Sequence, residues 1–205
     1  MKTHFISVNA KQEPDYSKIN EEVNRKIVEK KLAIYYSNQF IEVANTLSKK
    51  VNKEIVSKMQ VLGCSNPKFV PEVEAILIIG QGKFHSVSLA YESKLPTYIL
   101  ENGKITKISS EEIEKMEKQE KGAFLKYLHS ETVGILVSTK PGQQQLKKAT
   151  EFKKNLKEKK SYVFISNDLN TSEFENFGID CWINSACPRM DLNDSRIINL
   201  NKIPK

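Results

Sequence analysis

Two of the three cysteines, Cys64 and Cys187, stand where chemistry is often built. Each follows an apolar run and small residues, and each precedes a proline: Val61-Leu62-Gly63-Cys64-Ser65-Asn66-Pro67 and Trp182-Ile183-Asn184-Ser185-Ala186-Cys187-Pro188. A thiolate delivered at a strand end is a ligand for zinc or for an iron–sulfur cluster. Neither cysteine belongs to a C-x-x-C pair, and by spacing alone two buried, inert thiols are the favoured reading. Cys181 lies inside the apolar run that leads to Cys187 and reads as a core thiol. Arg189, two residues past Cys187, is a fixed cation that can hold a carboxylate bidentately or pair with Asp191 or Asp194.

Two polar turns add to this set. Ser138-Thr139-Lys140-Pro141-Gly142-Gln143 closes the apolar run Gly134 to Val137 and precedes a helical pattern. Such a strand-to-helix turn can offer free backbone N–H groups to an anion, or it can be an ordinary connection. The Gly and Lys spacing is not that of a P-loop. Gly80-Gln81-Gly82-Lys83-Phe84-His85 lacks the third glycine of a dinucleotide fingerprint, yet bare backbone lets a ligand come close. His85 fits a proton-transfer role, though a structural hydrogen bond is the commoner use of a lone histidine. No Ser/His/Asp order and no carboxylate pair supports hydrolase chemistry.

These residues need a rigid frame. Ile19, Val23 and Ile27 recur every fourth residue, as on one face of a helix. Strands are expected at Phe5–Val8, Leu32–Tyr36, Ala75–Ile79, Pro96–Leu100, Val133–Val137, Tyr162–Ile165 and Ile179–Asn184, with short extended pieces at Glu54–Val56 and Gln60–Leu62. Helices are expected around Phe40 to Leu47, Ser86 to Glu92, Glu111 to Tyr127, and Leu146 to Leu156, the last with Leu146, Ala149, Phe152 and Leu156 inward. Strands alternating with helices predict parallel sheets. Both halves share a plan, with Ser37, Gln39 and Cys64 answering to Ser138, Gln143 and Cys187. The expected fold class is therefore α/β: two similar small domains, 1–103 carrying Cys64 and 104–205 carrying Cys187, each a parallel sheet flanked by helices, with a shared cleft.

The net charge of +7 reflects lysines scattered among glutamates, so direct nucleic-acid binding is not expected, while attraction to an acidic protein is compatible. No run of about 18 apolar residues predicts a membrane span. An odd number of widely spaced cysteines and no apolar leader suggest reduced thiols in a cytoplasmic protein.

The sequence resembles the diphthamide synthesis enzyme family, the archaeal 2-(3-amino-3-carboxypropyl)histidine synthases. Four stretches carry the likeness in order: Val61 to Cys64, Gly80 to His85, Val137 to Gln143, and Asn176-Phe177-Gly178-Ile179-Asp180 running on to Ala186-Cys187-Pro188-Arg189. The resemblance implies an enzyme in which three similar domains each give one cysteine to a 4Fe–4S cluster. It further implies that S-adenosylmethionine binds the open iron and that its 3-amino-3-carboxypropyl group passes, by radical chemistry, to a histidine of translation elongation factor 2. By that likeness Cys64 and Cys187 are cluster ligands of the second and third domains. Lys140, Gly142 and Gln143 would line the S-adenosylmethionine pocket, with Arg189 at its amino acid end and His85 also toward the cofactor.

The family's first domain and its cysteine have no counterpart here. A companion chain is therefore expected to supply them, in an oligomeric split enzyme; the alternative is a non-catalytic partner or docking module of the same pathway without a working cluster. An unrelated zinc- or anion-binding α/β protein is the third reading.

Overall fold

The computed structural model describes residues 14–61, 69–80, 83–187, 190 and 195–204. The expected strand at Phe5–Val8 lies outside them. The chain divides into two compact units, residues 1–116 and 117–205.

In the first unit, α1 (Tyr16–Lys26) opens on Asp15, whose carboxylate accepts from the N–H groups of Ser17 and Lys18 at 3.1 and 3.3 Å. β1 (Lys31–Tyr36), α2 (Ile41–Lys50), β2 (Glu54–Gln60), β3 (Ala75–Ile79), α3 (Phe84–Ser93), β4 (Thr97–Glu101) and β5 (Lys104–Lys107) follow. The sheet order is β2-β1-β3-β4-β5, with the first four strands parallel and β5 antiparallel to β4. Both faces are covered. Leu32, Ile34 and Tyr36 meet Ile19, Val23, Val43 and Leu47 of α1 and α2 on one face, while Ala33 and Tyr35 join Leu89 of α3 on the other. That double burial explains why β1 and β3 read as unbroken apolar runs.

Two features depart from the sequence expectation. The two extended pieces around Glu54 and Gln60 are one edge strand, β2. The turn at Asn102-Gly103, where a domain boundary was expected, is the reverse turn of the β4–β5 hairpin, with φ of 51° and 75° at its two residues. α4 (Ser110–His129) then runs across the division between the units. Its start is a capping box: the Glu112 N–H donates to Ser109 Oγ at 3.3 Å, and the Ser109 N–H donates to Glu112 Oε2 at 3.1 Å. Glu112 also pairs with Lys83 at 2.8 Å, and these contacts, the Lys83 ammonium first, hold its carboxyl below the usual glutamate range. Ser109→Ala should cost about 1 kcal/mol in urea unfolding.

The second unit holds the end of α4 and β6 (Thr132–Ser138), α5 (Leu146–Asn155), β7 (Lys160–Ser166), a 3-10 segment at Thr171–Asn176, β8 (Cys181–Asn184) and β9 (Ile197–Asn199). All four strands are parallel, in the order β7-β6-β8-β9. Ala123 and Tyr127 of α4 and Ala149 of α5 cover one face over Val133, Ile135 and Val137. On the other face Trp182 is buried among Phe164, Phe174 and Phe177, with centroid distances of 4.8, 4.2 and 6.0 Å. Leu146, expected to face inward, is 38% exposed, because α5 begins there and its inward row starts at Ala149.

Among the described residues no helix is long and apolar enough to cross a membrane. The fold class is α/β, with two similar parallel-dominated sheets flanked by helices.

Candidate functional site

In each unit the chain leaves a central strand in one direction and returns on its other side, so a switch point falls between β1 and β3, and again between β6 and β8. Ligands of open α/β sheets bind beyond the carboxyl ends of strands at such points. In the second unit the loops meeting there are Ser138 to Gln143, after β6, and Ser185 to Cys187, after β8. These are the two stretches the sequence singled out. Their strands are adjacent, about 4.8 Å apart, with Leu136 opposite Asn184.

The first loop is held by its own hydrogen bonds. The Thr139 N–H donates to the Ser166 carbonyl at 3.0 Å, and the Lys140 N–H donates to Ser138 Oγ at 3.1 Å. Lys140-Pro141-Gly142-Gln143 is a type II turn. Proline sits at its second position, Gly142 has φ of 80° at its third, and the Gln143 N–H donates to the Lys140 carbonyl at 3.0 Å. Gly142 is thus required by the backbone conformation, and a Cβ there would meet no atom within 4 Å. The N–H groups of Thr139, Lys140 and Gln143 are used internally, so these three are not among those the turn could offer to an anion. What this loop presents instead is the half-buried side chains of Lys140 and Gln143. The Lys140 ammonium pairs with Asp168, and that bond, followed by one from Asn167, holds the Asp168 carboxyl below the usual aspartate range.

The second loop is organised by Asn184, which is buried at 3% exposure. Its amide Nδ2 donates to the Cys187 carbonyl at 2.7 Å and to Asn199 Oδ1 at 2.6 Å, while its Oδ1 accepts from the Ala186 N–H at 2.9 Å. Ser185 turns back, its Oγ and N–H donating to the Leu136 carbonyl at 2.6 and 3.1 Å. The result is a free, half-exposed Cys187 thiol on a backbone fixed from three sides. Sequence reasoning missed Asn184 and Ser185. The available signal was two polar residues ending an apolar strand, where a buried polar group must find partners. Asn184→Ala strips partners from the Ala186 N–H and the Cys187 carbonyl, and should cost about 2 kcal/mol in denaturant unfolding.

Cys181 is fully buried against the α4–α5 side of the sheet, and burial pushes its thiol up to about 12, with Lys126 and Lys159 opposing only in part. A thiol so far from ionising is a poor ligand and nucleophile.

In the first unit, Cys64 lies outside the described residues, as do Gln81 and Gly82, and in the second unit so does Arg189. Cys64 follows β2 in the chain, whereas Cys187 follows β8, the counterpart of β3. The correspondence of Ser37 with Ser138 fits the sheet order, since Ser37 directly follows one central strand and Ser138 ends the other, but that of Cys64 with Cys187 does not. Gly80 sits at the end of β3 against Ser37, whose Oγ is buried without a hydrogen-bond partner among the described residues; a Cβ on Gly80 would come within 3.7 Å of it. His85 is half-buried in the first turn of α3. Among the described residues no three His, Cys, Asp or Glu side chains gather closely enough to hold a metal.

A sequence model of the diphthamide synthesis protein family matches residues 1–197. A 2-(3-amino-3-carboxypropyl)histidine synthase from Methanocaldococcus jannaschii is 32% identical, over 75% of this chain and 46% of its own length. One from Pyrococcus horikoshii is 30% identical, over 66% of this chain and 40% of its own. The chain therefore spans under half the length of these relatives. The crystal structure of Dph2 from Pyrococcus horikoshii matches 91% of this chain and 60% of its own with a TM-score of 0.76 at 23% identity, and the structure of that protein with a 4Fe-4S cluster matches to the same extent. That likeness concerns the fold.

Proposed function

The chain belongs to the diphthamide synthesis protein family, and from that membership we propose that it forms part of a 2-(3-amino-3-carboxypropyl)histidine synthase. In this reading the whole enzyme transfers the 3-amino-3-carboxypropyl group of S-adenosylmethionine to a histidine of translation elongation factor 2. The single observation that carries the reading is Cys187: a free, half-exposed thiol held at the carboxyl end of β8, beside the Lys140 turn. Such a donor suits a 4Fe–4S cluster, and the solved relative contains one. When bound and reduced, a cluster held there would supply the electron needed to break the bond to the transferred group.

The chain's own residues then hold and orient. Cys187 and Cys64 are the proposed thiolate ligands. Asn184 sets the aim of the Cys187 backbone. Lys140 can leave exposed Asp168 for the carboxylate of S-adenosylmethionine, with Gly142 shaping the turn and Gln143 offering a side-chain amide. Arg189 and His85 are the remaining proposed cofactor contacts. Of the three cysteines, Cys181 is excluded by its burial, so two thiolates remain. We assign the third to polypeptide outside these 205 residues, contributed by a companion chain.

The experiment is anaerobic reconstitution with iron and sulfide, with and without the companion, followed by addition of a chemical reductant and measurement of label passed from the 3-amino-3-carboxypropyl group of S-adenosylmethionine to elongation factor 2. Cluster and transfer only in the mixture are expected. A full cluster and transfer by this chain alone would remove the companion, and iron-free protein in both cases would leave a non-catalytic partner.

A further inference from the structure

The charge on this chain is not spread evenly. Residues 147–160 contain seven lysines against two glutamates, a net of five positive charges in a chain whose total is +7. α5 turns Ala149 inward, with Phe152 and Leu156 packed partly against the same core, so Lys147, Lys148, Lys153 and Lys154 all point to solvent. Lys157 continues the exposed surface just beyond the helix, whereas Lys160, in β7, shares the parity of Phe164 and so faces the Trp182 side of the sheet. No carboxylate among the described residues lies within ion-pair reach of the five ammonium groups of Lys147, Lys148, Lys153, Lys154 and Lys157. Lys159 is different: it is tied to the carbonyls of Leu128 and Ser130 at 3.0 and 2.6 Å.

Unpaired like charges repel one another, so a row of them is unfavourable for folding and favourable for an anionic partner. Its position is telling. α5 starts directly after the Ser138–Gln143 loop and runs about 15 Å away from it. The row therefore begins at the edge of the candidate site and leads outward, where a macromolecule presenting one side chain to that site would rest. The face carries no arginine and no aromatic side chain, and Glu151 and Glu158 interrupt it. Nucleic acids are typically met by arginine forks and stacking aromatics. Point charges on flexible stems suit scattered carboxylates instead.

We propose that the outer face of α5, continued by Lys157, is a docking surface for an acidic face of a protein substrate. Naming that substrate as elongation factor 2 rests on the function proposed above.

The test compares the complete chain, together with its companion, with a Lys147→Glu/Lys148→Glu/Lys153→Glu/Lys154→Glu variant. The partners are poly-L-glutamate, elongation factor 2 and poly-uridylate, each at low and at physiological salt. Thermal unfolding checks the variant, and the matching four-fold Lys→Gln variant serves if it unfolds early. Expected is binding of poly-L-glutamate and of elongation factor 2 that weakens with salt, with an association rate lowered about tenfold or more in the variant. Unchanged binding of poly-L-glutamate by the variant overturns the proposal, and so does stronger, variant-sensitive binding of poly-uridylate. Loss of poly-L-glutamate binding in the variant, with no elongation factor 2 binding by the wild type, keeps the acidic-partner surface and discards that substrate.

Discussion

Cys187→Ala should leave the reconstituted enzyme without its brown iron–sulfur absorbance and with transfer activity at background, while Cys181→Ala should keep both. The two thiols are six residues apart and differ in everything that makes a ligand. Cys187 is half-exposed at a strand end, where its sulfur is accessible to iron. Cys181 is fully buried, pushed up to about 12 by burial, and would have to shed a proton inside the apolar core. For Cys181→Ala the loss is one of packing, about 1 kcal/mol, visible in denaturant unfolding and not in iron content. Bound iron per protein separates the cases. Equal loss in both variants would mean that the core thiol also holds the cluster.

The largest stability effect is expected at Gly134, in the middle of β6. A Cβ there would fall 2.5 Å from Cε3 and Cζ3 of Trp182, on the neighbouring strand. The indole cannot withdraw, because Phe164, Phe174 and Phe177 surround it. Gly134→Ala must displace the ring or part β6 from β8, at a cost of about 3 kcal/mol. For a unit of this size that lowers the unfolding temperature by ~15 °C. In a double-mutant cycle, Trp182→Leu should make Gly134→Ala much less costly, since the steric partner is then gone. If the two losses simply add, the clash is not the cause.

The sequence was most legible where burial is two-sided. Ala75–Ile79 and Val133–Val137 are apolar throughout because helices or other apolar side chains cover both faces of their sheets. α1 showed in the fourfold spacing of Ile19, Val23 and Ile27, all buried. Legibility failed at edges. β2 is an edge strand with Lys58 and Gln60 exposed, so its polar residues split one strand into two apparent pieces. β5 buries only Ile105 among its four residues, and β9 has three residues, too few for a pattern. In the site, Cys187, Lys140 and Gln143 could be picked out by type and position, and the structure brings their loops to adjacent strands. Asn184 was harder to read, because two of its hydrogen bonds are made within the loop that follows it and the third exists only once β8 and β9 are paired.

That last pairing has a further result. Asn199, in β9, accepts the same amide that steadies the Cys187 loop, and Ile198 and Ile203 are sunk in the core behind it. Trimming the chain before Ile197 would therefore be felt at the thiol, although the cut falls ten positions downstream. The segment from Ile197 to Ile203 thus acts as a splint for the loop that carries Cys187.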